Sequence, residues 1–309
     1  MNIREWSRQG NIFGDHHAQV PVVDVCDGYW RIYYSYRIDG KSVPYYIDVD
    51  PADPSKILLK SDKQLLQLGE LGRFDWAGIM PTDIINVGSK KYMYYIGWSV
   101  RKDVPYHNSL GLAISEDNGD TWHKFSDGPV FGTSYKEPGY VGTAEVVLVD
   151  DTYYMYYLSC RDWIIVENHP EPIYDIKIAL SKNAIDWDPL DRVAIGLEKG
   201  QGGISKATVI KYENRYYMWY SARSESNYRL NPNHGYRIYC AVSDDLLNWT
   251  KLNRHGLDIN LSSDWERIMV EYPDVFIHNN RVHMFYNGDG FGRTGIGYAN
   301  MDITLLKYD

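Results

Sequence analysis

Five short stretches of the chain share one pattern, a run of bulky residues rich in tyrosine and methionine. They are Arg31-Ile32-Tyr33-Tyr34-Ser35, Tyr92-Met93-Tyr94-Tyr95-Ile96, Tyr154-Met155-Tyr156-Tyr157-Leu158, Tyr217-Met218-Trp219-Tyr220-Ser221 and His283-Met284-Phe285-Tyr286-Asn287. Anchored at Ile32, Met93, Met155, Met218 and Met284, successive copies lie 61, 62, 63 and 66 residues apart. Such regular spacing marks a repeat architecture. Each anchor follows an apolar run and a tight turn: Asp27-Gly28, Gly88-Ser89-Lys90, Asp150-Asp151, Glu213-Asn214 or Asn279-Asn280. That is the turn chemistry of β-hairpins. A loop and a third apolar run come next, as in Gly111-Leu112-Ala113-Ile114 and Ile238-Tyr239-Cys240-Ala241-Val242.

In the middle three copies a fourth strand is predicted around Trp122, Trp187 or Trp249. Four antiparallel strands repeated five times predict an all-β fold, a five-bladed β-propeller around a central funnel. The whole chain, 1–309, then forms a single domain. The last copy has little sequence left for a fourth strand. Trp6-Ser7-Arg8 resembles Trp249-Thr250-Lys251, so the N-terminus is expected to supply it, with Ile303-Thr304-Leu305-Leu306 as the competing candidate.

Composition narrows the chemistry. The 28 Tyr and 10 Trp among 309 residues favour strands and offer flat, amphipathic surfaces suited to sugars. A net charge of −9 argues against nucleic acid as a partner. No run of about 18 apolar residues predicts a membrane span. The opening Met1 to Arg8 lacks the apolar core of a secretory signal, so a cytoplasmic location is expected. Cys26, Cys160 and Cys240 form no Cys-x-x-Cys pair and read as reduced thiols. His107, His169, His234 and His255 lack metal-ligand spacing, so neither metal nor cofactor is expected. Gly290-x-Gly292-x-x-Gly295 leads into a strand, which rules it out as a dinucleotide fingerprint.

The stretch Ser115-Glu116-Asp117-Asn118-Gly119-Asp120-Thr121-Trp122 matches the Asp-box of sialidases. Ser181 to Trp187 and Ser243 to Trp249 occupy the same place in their repeats. All three join a third strand to a fourth, where Asp, Asn and Gly set a turn. The motif is read as a fold marker, on the face opposite the long loops.

The long-loop face holds the candidate chemistry. Its loops include 101–108, 161–174 and 223–236, with long connections at 125–142, 188–204 and 250–270. Gln19, Asp83, Glu145, Lys206, Glu271 and Asp274 fall at the starts of the inner strands, with Asp15 and His17 just ahead of the first. Carboxylates gathered near one axis raise one another's proton affinity and yield an acid and a base from one residue type. Arg37, Arg101, Arg161 and Arg223 each follow a second strand, and Arg293 lies in the last copy's loop beside Asp289. Convergent guanidinium groups would point to an anionic substrate. Trp98, Tyr106, Tyr140, Trp163, Tyr228, Tyr272 and Phe291 are candidates for stacking on a sugar.

On these repeats, and on Glu271-Tyr272-Pro273 before the fifth anchor, the chain resembles the five-bladed β-propeller glycosidase superfamily. That group comprises glycoside hydrolase families 32, 43, 62, 68, 117 and 130. The resemblance implies a glycoside hydrolase of inverting type acting on a small-molecule or oligosaccharide substrate. By blade order it places Asp15 as base, Asp83 as second carboxylate and Glu145 as acid, while Glu271 carries the family's Glu-x-Pro pattern. His17, Gln19, Arg101, Arg161, Lys206, Arg223, Tyr272, Asp289 and Arg293 are the expected substrate contacts. Two departures accompany it: the Asp-Pro signatures of the first two blades are absent, and Glu-x-Pro falls in the fifth repeat. A phosphorylase of the family 130 type and a non-catalytic carbohydrate-binding propeller are the alternatives. An opposed carboxylate pair about 5–10 Å apart would favour hydrolysis.

Overall fold

The tyrosine- and methionine-rich stretches become the second strands of five four-stranded antiparallel units. The structure, a computed structural model, describes residues 5–14 and 17–308. After an N-terminal strand β1 (Ser7–Phe13), the first unit is β2 (Ala18–Val25), β3 (Trp30–Ile38), β4 (Lys41–Asp50) and β5 (Asp53–Lys60). The second is β6 (Gly78–Val87), β7 (Lys90–Ser99), β8 (His107–Ser115) and β9 (His123–Lys124). The third is β10 (Val141–Val149), β11 (Thr152–Val166), β12 (His169–Ser181) and β13 (Asp188–Ile195). The fourth is β14 (Gln201–Tyr212), β15 (Arg215–Ser224), β16 (Arg237–Ser243) and β17 (Thr250–Leu257). The fifth has β18 (Glu271–His278), β19 (Arg281–Asn287) and β20 (Ile296–Asp302), and β1 pairs antiparallel with β20 as its fourth strand. Residues 303–306, the competing candidate, instead fall in a 3₁₀ turn, Ile303–Tyr308.

Each second strand is covered on both faces, which explains its unbroken apolar sequence. Met93, Met155, Met218 and Met284 are fully buried, as is Ile32. A separate apolar cluster fills the space between each neighbouring pair of units. One of them joins Phe285 and Tyr298 of the fifth unit to Trp30 and Ile32 of the first. The first strands pack on one another in the order β2, β6, β10, β14, β18, and β18 packs on β2.

The Asp-box turn is closed locally. Ser115 Oγ accepts the Gly119 amide at 2.8 Å, and Asp117 Oδ1 accepts the Thr121 amide at 2.9 Å. Gly119 takes φ +95°, a conformation that favours glycine. The equivalent turns receive tyrosine hydroxyls from the preceding unit: Tyr156 donates to Leu246 O at 2.7 Å, and Tyr94 to Ala184 O at 2.5 Å. These turns therefore tie unit to unit.

One expectation is corrected. The run 161–174 is no loop but the outer half of a long hairpin, with Trp163 opposite Pro172 and Val166 opposite His169. A two-residue turn, Glu167-Asn168, closes it with both residues at positive φ.

Candidate functional site

Every first strand carries a bulge at the same place. The register shifts lie between Gln19 and Val22, Pro81 and Asp83, Gly142 and Ala144, Ser205 and Thr208, and Glu271 and Asp274. Four residues at these bulges, Val20, Thr143, Lys206 and Tyr272, adopt positive φ. A bulge re-aims side chains, and backbone strain of this kind collects at functional sites. In the second unit Pro81 fills that position, and its ring holds φ negative.

Above the bulges lies a cavity of about 360 Å³. Gln19, Met80, Gly142 and Ser205 line it from equivalent bulge positions. Its walls are aromatic: Trp98, Tyr106, Tyr140, Tyr174, Tyr228, Tyr236, Tyr272 and Phe291. Trp163 stands outside this lining and packs edge-on to Tyr106, with ring centroids 5.6 Å apart. Gln19 Oε1 and Ser205 Oγ are buried without a hydrogen-bond partner among the described residues. A flat aromatic enclosure with unsatisfied polar atoms is suited to a ring bearing hydroxyl groups.

Below the bulges the carboxylates face neighbouring strands. Asp83 Oδ2 accepts the Val146 amide at 2.7 Å, Glu145 Oε1 accepts Val209 at 2.7 Å, and Asp274 Oδ2 accepts Val23 at 2.9 Å. In the fourth unit Thr208 Oγ1 does the same for Val275 at 3.3 Å. Lys206 is wholly buried and donates to Asp274 Oδ1 at 2.9 Å. Burial raises Asp83 to about 7, with Lys206 opposing the shift. Glu145 is held well above the usual carboxylate range, by burial and then by Asp83. Burial alone would lower Lys206, but Asp274 and Glu145 outweigh it and raise its pKa. Asp83, Glu145 and Lys206 thus form a network between units, and none of the three lines the cavity.

Glu271 stands apart from that network. It is fully buried at the start of β18, next to the cavity-lining Tyr272. Neither carboxylate oxygen meets a donor in good hydrogen-bond geometry among the described residues, although the Phe291 amide approaches it. Burial raises its pKa well above the usual carboxylate range; Asp289 adds to the shift, and Arg223 opposes it. Asp289 itself is a brace, its Oδ1 accepting the amides of Ile268 at 2.7 Å and Met269 at 2.9 Å.

The cations divide into distinct environments. Arg223 is buried behind the cavity wall, its guanidinium 3.9 Å from the Tyr228 ring centroid and donating to Tyr174 Oη at 3.1 Å and Pro172 O at 2.7 Å. Arg161 is exposed and pairs with Asp175 at 2.9 Å. Arg101 and Arg293 are exposed and outside the cavity lining. Arg37, Arg229 and His17 do line it. Burial lowers the His17 pKa, and Arg37 and Arg293 add to that effect. Asp15 lies outside the described residues. Among the described residues no cluster of His, Cys, Asp or Glu could hold a metal, and no helix is long and apolar enough to cross a membrane.

Sequence reasoning did not single out Tyr174 and Tyr236 as part of this wall. The signal available was their place: Tyr236 directly precedes the third strand β16, and Tyr174 lies within β12 opposite Cys160 and beside Gly203, two residues before the bulge at Ser205.

No family model matches the chain. MT1551 from Mycobacterium tuberculosis strain CDC 1551 / Oshkosh is 34% identical over 310 residues, covering 96% of this chain and 99% of that protein. Rv1502 from strain H37Rv matches to the same extent, and both are uncharacterized proteins. Among solved structures, a complex of BT0996 with RGII superposes with a TM-score of 0.74 at 18% identity, over 95% of this chain and 90% of that one. A thermostable family-43 glycoside hydrolase gives 0.65 at 18% identity, over 94% and 92%. A Bombyx mori family-32 β-fructofuranosidase gives 0.64 at 10% identity, over 95% and 61%. At these identities the likeness is one of fold: the chain shares the β-propeller fold of these neighbours. The chain itself belongs to the family of the Mycobacterium tuberculosis uncharacterized proteins MT1551 and Rv1502.

Proposed function

We propose that this protein cleaves a glycosidic bond of a sugar held in the aromatic cavity, with Glu271 as the proton donor. The five units would form a closed five-bladed propeller and a single domain, a reading supported by the packing of β18 on β2. The observation that carries the function is the state of Glu271: fully buried, raised in pKa, with no hydrogen-bond donor in good geometry among the described residues, and adjacent to the cavity. A carboxyl group in this setting keeps its proton at neutral pH, as a general acid must. During cleavage the C–O bond to the leaving group breaks, and the Glu271 proton passes to the leaving oxygen. Water attacks the anomeric carbon in an inverting reaction and loses its proton to a base. Asp15, two residues before the cavity-lining His17, is the proposed base.

A second reading, phosphorolysis, is favoured by one observation. Among the described residues no Asp or Glu lines the cavity. Inorganic phosphate is itself a nucleophile and needs no such base. Oligosaccharides incubated with the protein, with and without phosphate, and resolved by mass spectrometry test both readings. Free sugar formed without phosphate supports hydrolysis, and sugar 1-phosphate formed only with it supports phosphorolysis. Product yields unchanged in Glu271→Gln would overturn the role of Glu271.

A further inference from the structure

On one side of the cavity wall, positive charge has no carboxylate partner among the described residues. Of the two guanidinium groups that line the cavity among the described residues, Arg229 is paired with Glu171. Arg37 has no carboxylate partner among the described residues. It donates to Ser42 Oγ at 3.3 Å and lies 5.0 Å from the Trp98 ring centroid. Its backbone N–H donates to His17 O at 3.3 Å, so the two side chains leave the same point of the first unit. The His17 ring also lines the cavity, with Nε2 3.2 Å from Phe291 O. Arg293, in the same loop as Phe291, lies within electrostatic reach of the His17 ring. Two basic side chains, His17 and Arg37, thus line one side of a cavity that no described Asp or Glu lines, with Arg293 outside the lining but close enough to act on His17, in a chain whose net charge is −9.

A guanidinium held on a tryptophan face keeps its outer N–H groups free, and the fork matches an oxyanion bidentately. We infer that His17, Arg37 and Arg293 form a subsite for an oxyanion group, with Arg37 as its specificity-determining residue. The group is either a carboxylate carried by the sugar ligand or free phosphate; both present two oxygens to one fork. The inference rests on the sugar-binding reading of the cavity, and deepens it by assigning the ligand's charge and the side on which that charge sits.

Isothermal titration at low ionic strength tests it with defined probes. These are D-glucuronate, D-galacturonate, N-acetylneuraminate and inorganic phosphate, with D-glucose and D-galactose as neutral counterparts. At least one anion is expected to bind ten-fold or more tightly than the neutral sugars. Arg37→Gln is expected to remove at least ten-fold of that affinity, and Arg37→Lys to recover only part of it. Response to phosphate alone assigns the subsite to free phosphate, and response to an acid sugar assigns it to a ligand carboxylate. Anions that bind no better than neutral sugars, or a preference that survives in folded Arg37→Gln, would overturn the inference. The neutral sugars separate the two claims: if no sugar of either charge binds, the sugar-binding reading fails, whereas neutral sugars that bind as tightly as every anion overturn the subsite alone.

Discussion

The carboxylate of Asp83 accepts the backbone N–H of Val146 at 2.7 Å, joining the first strand of one unit to that of the next. Glu145 and Asp274 repeat the contact one and three units further on, and Thr208 makes it with a hydroxyl. A threonine at the shared position shows what the position requires: a hydrogen-bond acceptor for a neighbouring amide. Charge at that place is a cost the fold carries.

Asp83 makes that cost measurable. Its pKa, raised to about 7 in the folded chain, stands near 3.9 in an unfolded one. The folded state therefore holds the proton more tightly, and this group's contribution to stability falls as pH rises from about 4 to 7, then levels off. Asp83→Asn keeps an acceptor for Val146 without the charge. Thermal unfolding is expected to show little difference from wild type at pH 4 and a higher Tm for the variant at pH 8. An equal loss of Tm at both values would contradict this account.

Pairing of β1 with β20 depends on the anchor that precedes it. Trp6 is buried against Trp219, with ring centroids 6.1 Å apart, and its Nε1 donates to His255 O at 2.8 Å. Trp6→Ala should cost about 3–5 kcal/mol. Chemical denaturation measures it, and a loss below about 1 kcal/mol would mean that the N-terminal strand contributes little.

Arg223 illustrates how arginine and lysine differ in a buried setting. Its fork satisfies Tyr174 Oη and the carbonyls of Pro172 and Ser224, which a single ammonium cannot do together. Arg223→Lys should destabilise the protein by about 1–3 kcal/mol, the cost of a buried polar group left unpaired. Denaturant titration tests this, and a variant as stable as wild type would show that the fork is dispensable.

Much of the fold was legible because repetition exposes it. Ile32, Met93, Met155, Met218 and Met284 are all fully buried in second strands, and the likeness of Trp6-Ser7-Arg8 to Trp249-Thr250-Lys251 identified the strand that pairs with β20. The hairpin 161–174 was hidden because Arg161, Asp162, Glu167 and His169 are polar, as befits strands extending beyond the core. The site was harder to read. Asp83, Glu145 and Lys206 carry the residue types of catalysis, yet Asp83 and Glu145 accept amides of the next unit and Lys206 pairs with Asp274, contacts that no sequence pattern announces. Arg37 and Arg223 look alike in sequence, while one reaches the cavity and the other lies behind its wall.

The central claim is that Glu271 gives its proton to a departing oxygen, and the most direct measurement compares leaving groups. An alkoxide needs that proton, whereas p-nitrophenolate departs without it. Once the glycone is known, kcat/KM of Glu271→Gln should be measured on a methyl glycoside and a p-nitrophenyl glycoside of that same sugar. The account predicts a loss of about 10²–10⁴-fold on the methyl glycoside and a much smaller loss on the p-nitrophenyl one. Equal losses on both, or no loss on either, would contradict it.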